Sequence, residues 1–194
     1  IAHKHRALEI RPEHYPIVGK NLLEGIQEVL GDQATPEIID AWGDYYNQIA
    51  QVFIDVEQDM YQAAAWDGFK PFVVRKKEVM TPDIVRFTVD SGDVDKAFTA
   101  GQYITVKVNP SGYPYEALRH YSICSNDAED GITFAVKREV VDDNKGVVYN
   151  YLHDGIEEGD ALFLSAPAGD FKVEEDHDKL LFIAGGVGAT RVMA

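Results

Sequence analysis

The sequence predicts a multidomain chain: an all-α segment, then a six-stranded antiparallel β-barrel, then the opening of an α/β unit. Three observations carry this expectation. Through the first third of the chain, apolar residues recur at three- and four-residue steps. Between residues 69 and 165 they gather into six short runs separated by turn residues, and near the C-terminus a wholly apolar run ends in glycines.

In the helical part, Tyr15, Val18, Leu22, Ile26 and Val29 share one face from Pro12 onward, and Gly31-Asp32 ends the pattern. Thr35-Pro36-Glu37 opens a second helix, in which Thr35 can cap, Pro36 suits the first turn and Glu37 favours the positive end of the dipole. Its apolar face holds Ile38, Ile39, Trp42, Tyr45, Ile49, Val52, Phe53, Val56 and Met60. Both stripes are too broad for a single partner helix, so a further body must bury them. Ala63-Ala64-Ala65-Trp66-Asp67-Gly68 forms the junction, placing the helical domain at residues 1–64 and the barrel at 65–176.

The six expected strands run from Phe69 to Val79, Ile84 to Val89, Tyr103 to Val108, Arg119 to Cys124, Ile132 to Val140 and Ala161 to Ser165. Turn signals stand at Thr81-Pro82-Asp83, Asp90-Ser91-Gly92, Asn109-Pro110-Ser111-Gly112 and Asn126-Asp127. Strands this short and this regularly spaced suggest an antiparallel barrel. A helix from about Val147 to His153 interrupts them, and its start at Gly146 offers outward N–H groups to an anion such as a pyrophosphate. From residue 177 the pattern changes again. Lys179 to Ala184 reads as a buried parallel strand, and Gly185-Gly186-Val187-Gly188-Ala189-Thr190 as the glycine turn and helix start that open a nucleotide-binding unit.

Composition narrows the partners. A formal charge of −15 argues against nucleic acid and anionic membrane surfaces, both of which select basic patches, and leaves small molecules or basic proteins. The lone Cys124 excludes an internal disulfide and fits a reducing, cytoplasmic setting; no apolar run approaches the ~20 residues of a membrane span. The start at Ile1 has neither an initiator Met nor a signal peptide, as expected of a piece of a longer protein. Asp142-Asp143-Asn144 and Glu174-Glu175-Asp176 read as solvated loops, since a calcium site needs more ligands at set spacing.

The stretch richest in chemistry is Arg119-His120-Tyr121-Ser122. On a strand, Arg119 and Tyr121 face one way and His120 and Ser122 the other. A guanidinium that forks phosphate beside a phenol that stacks suits a flavin nucleotide. An ordinary antiparallel strand with one exposed arginine fits the same spacing. Likewise His5 and Lys4 taken alone read as surface residues of a helix, and Glu57, between Asp55 and Asp59, as part of a solvated face.

Arg-x-Tyr-Ser, preceded by Ala100-Gly101-Gln102-Tyr103 and followed by Val136-Lys137-Arg138-Glu139, resembles the flavin-binding barrel of the ferredoxin-reductase superfamily. Ser165 to Phe171 resembles that superfamily's barrel exit. The resemblance implies bound FAD, with Arg119 on the pyrophosphate, Tyr121 against the isoalloxazine, Ser122 bonded near its central-ring nitrogen and Tyr103 as a further flavin contact. His120, inside the same motif, is counted with them. It also implies an NAD(P)H lobe beginning at residue 177, with Gly186, Val187, Gly188, Ala189 and Thr190 on the nucleotide. Two positions depart from the pattern: Arg191 stands where the family has Pro, and Tyr149 where it often has a small hydroxyl residue.

Ile-Ala-x-Lys-His at the start, followed by Tyr15 in Tyr-x-Ile-Val-Gly-x-x-Leu-Leu, resembles the proximal half of the globin domain of flavohaemoglobins. Asp40-Ala41-Trp42-Gly43 and Val52 to Glu57 continue the match. It implies that His5 is the proximal ligand of haem b, that Tyr15 and Glu57 hydrogen-bond the imidazole, and that Lys4 influences cofactor redox poise. The family's activity is dioxygenation of nitric oxide to nitrate, with electrons passing from NAD(P)H through FAD to haem. The partners implied are nitric oxide, dioxygen and NAD(P)H, and the expected state is a monomer. Two other readings remain open: a haem-free FAD-dependent NAD(P)H reductase whose first 64 residues merely support the barrel, and a haem- or flavin-binding module without turnover.

Overall fold

The computed structural model describes residues 1–92, 97–125, 131–138, 140–141, 144–171, 179 and 181–192. The expected turn at Asn126-Asp127, the acidic pairs Asp142-Asp143 and Glu174-Glu175 with Asp176, and the expected limit between residues 176 and 177 lie outside them. Contacts divide the chain into two compact units, Ile1–Ala63 and Ala64–Ala194.

The first unit holds α1 (Ala2–Ala7), α2 (Tyr15–Leu30) and α3 (Pro36–Gln62), with single 3-10 turns at Pro12–His14 and Gly31–Gln33. Pro36 opens α3, where its missing N–H would have had no partner. Thr35 occupies the N-cap position, but its hydroxyl makes no cap bond to the backbone. It bonds the Glu37 carboxylate instead, which helps hold that group below the usual carboxylate range after the larger effect of Glu37's own backbone N–H. The Thr35 carbonyl still accepts from the N–H groups of Ile38 and Ile39.

Helices α2 and α3 approach closely at Gly19, where a Cβ would fall 2.6 Å from the Tyr46 ring. The inward face of α3 buries Ala50 and Glu57. Its other apolar face, expected to need a further partner, is uncovered: Ile38, Trp42, Tyr45, Ile49, Val52 and Val56 are all exposed, as are Val18, Leu22 and Val29 of α2. An apolar groove of about 640 Å³ lined by Leu22, Ile26, Val29, Leu30 and Trp42 runs between the two helices.

The second unit contains β1 (Phe69–Thr81), β2 (Ile84–Asp90), β3 (Tyr103–Val108), β4 (Ala117–Ser122), β5 (Ile132–Lys137), the short β6 (Val140–Val141) and β7 (Asn144–Lys145), α4 (Val147–Gly155) and β8 (Ala161–Ser165). Six strands form one sheet in the order β4-β3-β8-β1-β2-β5, every pair antiparallel. Just past β4, Ile123 bridges to Phe134 of β5 and the Cys124 N–H donates to the Thr133 carbonyl at 2.8 Å, so the two ends of the sheet meet. The fourth strand begins two residues earlier than the sequence suggests, and the fifth stops at Lys137, before the β6–β7 hairpin.

Alternation in β2 and β5 sends Phe87, Val89, Ile132, Phe134 and Val136 inward. They join Phe72, Ile104, Val106, Leu162 and Leu164, with Phe87 and Phe134 stacked at 5.5 Å. Helix α4 contributes Val148 and Leu152 to this core. Its C-terminal end is fastened by Lys77, whose ammonium donates to the carbonyls of His153 at 2.9 Å and Ile156 at 2.6 Å.

Among the described residues of the run from Lys179 to Ala184, the expected buried strand is not formed. Its described residues are unpaired, with Leu181 87% and Ile183 92% exposed, and a 3-10 helix at Gly186–Val192 follows. A fully apolar parallel strand is stable only between neighbours that cover both faces. Among the described residues no strand pairs with this run.

Candidate functional site

In the first unit, two residues from two helices converge on a carboxylate carried by a third. His5 sits on α1, Tyr15 begins α2, and Glu57 lies in the last third of α3. The His5 Nδ1 is 2.7 Å from Glu57 Oε1, and the Tyr15 hydroxyl donates to that same oxygen at 2.9 Å. His5 Nδ1 and the Tyr15 oxygen are 3.1 Å apart. A carboxylate accepts only, so the 2.7 Å contact assigns the Nδ1–H tautomer and leaves the Nε2 lone pair available to a metal.

Glu57 is 3% exposed and Tyr15 8%. Burial, then the hydrogen bond to Glu57, pushes the Tyr15 phenol well above its ordinary range, so it remains a donor. Phe53, one turn before Glu57, lies on the His5 ring at 5.7 Å. The Tyr46 hydroxyl donates to the Tyr15 carbonyl at 2.7 Å and fixes the start of α2. Lys4 is exposed beside His5. Among the described residues no group of three or more His, Cys, Asp or Glu could hold a metal ion.

In the second unit, the β3–β4 register sets Tyr103 opposite Ser122, Thr105 opposite His120 and Val106 opposite Arg119. The motif therefore splits between two faces. His120 and Ser122 share a face with Tyr103: the His120 and Tyr103 rings are 4.9 Å apart, and His120 Nδ1 meets the Thr105 hydroxyl at 2.8 Å. Tyr121 turns toward the core and stacks on Phe134 at 5.4 Å, where burial pushes its phenol up. Arg119, on the Tyr121 side, is exposed and donates to the Leu118 carbonyl at 2.7 Å.

Tyr103 is held by its strand end. Its backbone exchanges two 2.8 Å bonds with Ala168, and a Cβ on Gly169, at φ +115°, would fall 3.1 Å from the phenol ring. The Tyr103 ring and the exposed Arg119 guanidinium therefore lie on opposite faces of the β3–β4 pair.

The α4 N-terminus is already engaged. The Gly146 N–H donates to the Tyr149 hydroxyl at 2.6 Å, with the phenol ring packed over the glycine. Tyr149 thus caps the position expected to receive a pyrophosphate, an effect of the one departure the sequence flagged there. Gly186, Gly188, Ala189 and Thr190, with the backbone of Val187, lie in the 3-10 helix after an exposed run, and a Cβ on Gly186 or Gly188 would meet nothing within 4 Å. No dinucleotide-binding strand–turn–helix is present among the described residues.

Sequence reasoning missed Tyr46 and Thr105, which fasten the candidate site residues Tyr15 and His120, and Tyr61, which bonds the Ile10 carbonyl beyond α1. A signal existed for two of them: Tyr46, Ala50, Phe53, Glu57 and Tyr61 recur at three- and four-residue steps and share the inward face of α3.

The oxidoreductase FAD-binding domain family matches residues 71–173, and the globin family matches residues 1–53. The chain belongs to the FAD-binding oxidoreductase family. Proteins that align with all of it are flavohemoproteins, among them those of Bacillus subtilis, at 45% identity over 100% of this chain and 49% of that protein, and of Oceanobacillus iheyensis, at 47%, 100% and 50%. The flavohemoglobin of Malassezia yamatoensis, solved with bound FAD and heme, superposes with a TM-score of 0.85 at 28% identity, covering 99% of this chain and 50% of that one. The flavohem-like FAD/NAD-binding domain of a nitric oxide dioxygenase from Vibrio cholerae gives 0.58 at 39% identity over 64% of this chain and 54% of its own. The chain spans about half the length of the curated relatives it matches.

Proposed function

We propose that this chain forms the haem-proximal and flavin-binding portion of a flavohaemoprotein that converts nitric oxide to nitrate with electrons from NAD(P)H. The observation that carries the reading is the carboxylate-backed imidazole of His5, at 2.7 Å from Glu57, in a helical unit followed in the same chain by an FAD-family barrel. Support also comes from the names of the relatives, flavohemoproteins and a nitric oxide dioxygenase.

In this reading the haem supplies the iron at which dioxygen and nitric oxide react. His5 Nε2 holds it, Glu57 accepts the Nδ1 proton and gives the imidazole anionic character, and Tyr15 keeps the carboxylate in place. The uncovered apolar faces of α2 and α3 are available to the porphyrin and to further globin helices. Lys4 biases the redox poise by its charge.

In the barrel, Arg119 pairs with the FAD pyrophosphate, and Tyr103, His120, Tyr121 and Ser122 line the flavin. Gly186, Val187, Gly188, Ala189 and Thr190 begin the nicotinamide lobe, giving domains at residues 1–64, 65–176 and 177–194. A monomer in the cytoplasm fits the single cysteine, and among the described residues no helix is long and apolar enough to cross a membrane.

Reconstitution of the full-length protein tests this. A Soret band, stoichiometric FAD and NADH-dependent consumption of nitric oxide are expected. Flavin reduction without a Soret band would instead make it a haem-free reductase.

A further inference from the structure

Helix α1 ends in a turn that carries backbone strain. Leu8 is its C-cap, Glu9 adopts φ +61°, and the chain then doubles back so that the Glu9 N–H reaches the Arg6 carbonyl at 3.1 Å and the Ile10 N–H reaches the His5 carbonyl at 2.9 Å. This pair of bonds, three and five residues back, is the closure that glycine ordinarily makes at a helix C-terminus. A glutamate there pays a steric penalty through its Cβ, and among the described residues it is the one non-glycine with positive φ.

The turn is held from outside. One helical turn beyond Glu57, the Tyr61 hydroxyl donates to the Ile10 carbonyl at 2.7 Å, and it lies 3.5 Å from the Arg6 carbonyl. The Arg11 guanidinium stacks 4.1 Å over the Tyr61 ring while reaching Glu9 at 3.5 Å. One residue therefore joins two tethers: the Ile10 carbonyl accepts from Tyr61 and the Ile10 N–H donates to the His5 carbonyl. Helix α3 grips both ends of the same residue, with Glu57 on the imidazole and Tyr61, through Ile10, on the backbone.

We propose that Tyr61 is a positioning residue: by holding the strained Glu9 turn closed onto the His5 carbonyl, it sets the rotation of α1 that aims the His5 imidazole at Glu57. This deepens the reading of His5 as a haem ligand and rests on that reading for its haem-loaded arm alone. Strain retained beside a site, with a dedicated clamp to keep it, is the form in which such geometry serves function.

Three variants of the full chain decide it: Tyr61→Phe, which keeps the ring under Arg11 and removes the hydroxyl; Glu9→Gly, which accepts positive φ unaided; and the double variant. In the haem-free protein, Tyr61→Phe is expected to speed amide exchange at Ile10 by roughly tenfold relative to α3 amides, the equivalent of one net hydrogen bond. It should also move the His5 Nδ1–H resonance upfield as the bond to Glu57 lengthens. The double variant should return both signals to wild type, because glycine no longer needs the clamp. In haem-loaded protein the iron–His stretching frequency should fall in Tyr61→Phe and recover in the double variant. An unchanged His5 Nδ1–H signal in Tyr61→Phe, or no recovery in the double variant, overturns the proposal. Failure of the parent to take up haem through His5 would overturn the ligand reading while leaving the haem-free signals to judge the turn.

Discussion

Tyr15 and Glu57, 42 residues apart, meet in a 2.9 Å hydrogen bond whose acceptor oxygen is the one that also faces His5. Two donors on a single oxygen make the carboxylate's position depend on both. They also tie α2 and α1 to α3 at one buried point.

Removing one donor should therefore be felt in stability. Tyr15→Phe deletes a buried bond to an ionised group and should cost about 1.5–3 kcal/mol in urea unfolding. Its pH dependence has a definite sign. The Tyr15 phenol is raised from 10.0 in the folded chain, so the unfolded chain loses this proton first; the contribution is complete below that pH and declines as pH rises past it. The alkaline limb of the stability curve should be shallower in Tyr15→Phe, and an unaltered limb would remove Tyr15 from the ledger.

For the flavin side, Arg119→Ala should weaken FAD binding by about 1.5–3 kcal/mol, the worth of a charge-assisted pair with phosphate. Titration of flavin fluorescence reads this directly, and an unchanged affinity would mean that the exposed Arg119 only decorates an edge strand.

Tyr149→Ser tests the cap on α4. Freeing the Gly146 N–H from the phenol, now at 2.6 Å, should tighten FAD by about 0.5–1.5 kcal/mol if the pyrophosphate docks there. Weaker binding would show instead that the phenol itself contacts the cofactor.

Cys124 reports on the barrel. Burial raises its thiol above 9.0, which keeps thiolate scarce, so alkylation at pH 8 should be roughly tenfold slower in the native chain than in the unfolded one. Equal rates would place Cys124 in an open loop.

How much of this could be read from sequence follows from what each feature depends on. The strand alternation of Ile132, Phe134 and Val136 was legible because one face of β5 packs inward, and the same period placed Arg119 and Tyr121 on a common face. Thr35 misled because a hydroxyl chooses between a backbone N–H and a carboxylate two residues away, and Glu37 wins. Lys179 to Ala184 misled because an apolar run states that it can be buried, not that anything is present to bury it. The period placed Tyr61 on the inward face of α3 but could not show its bond, because a partner carbonyl in a turn 51 residues away leaves no periodic trace.

The proximal site is tested most directly by resonance Raman spectroscopy of Glu57→Gln in the full-length ferrous protein, alongside its turnover of nitric oxide. A neutral amide accepts the Nδ1 proton weakly, so the imidazole should donate less and the iron–His stretching frequency should fall. Nitric oxide consumption should fall with it, while reduction of FAD by NADH stays near wild type. A stretching frequency and turnover that both match wild type would contradict any role for Glu57 beyond packing.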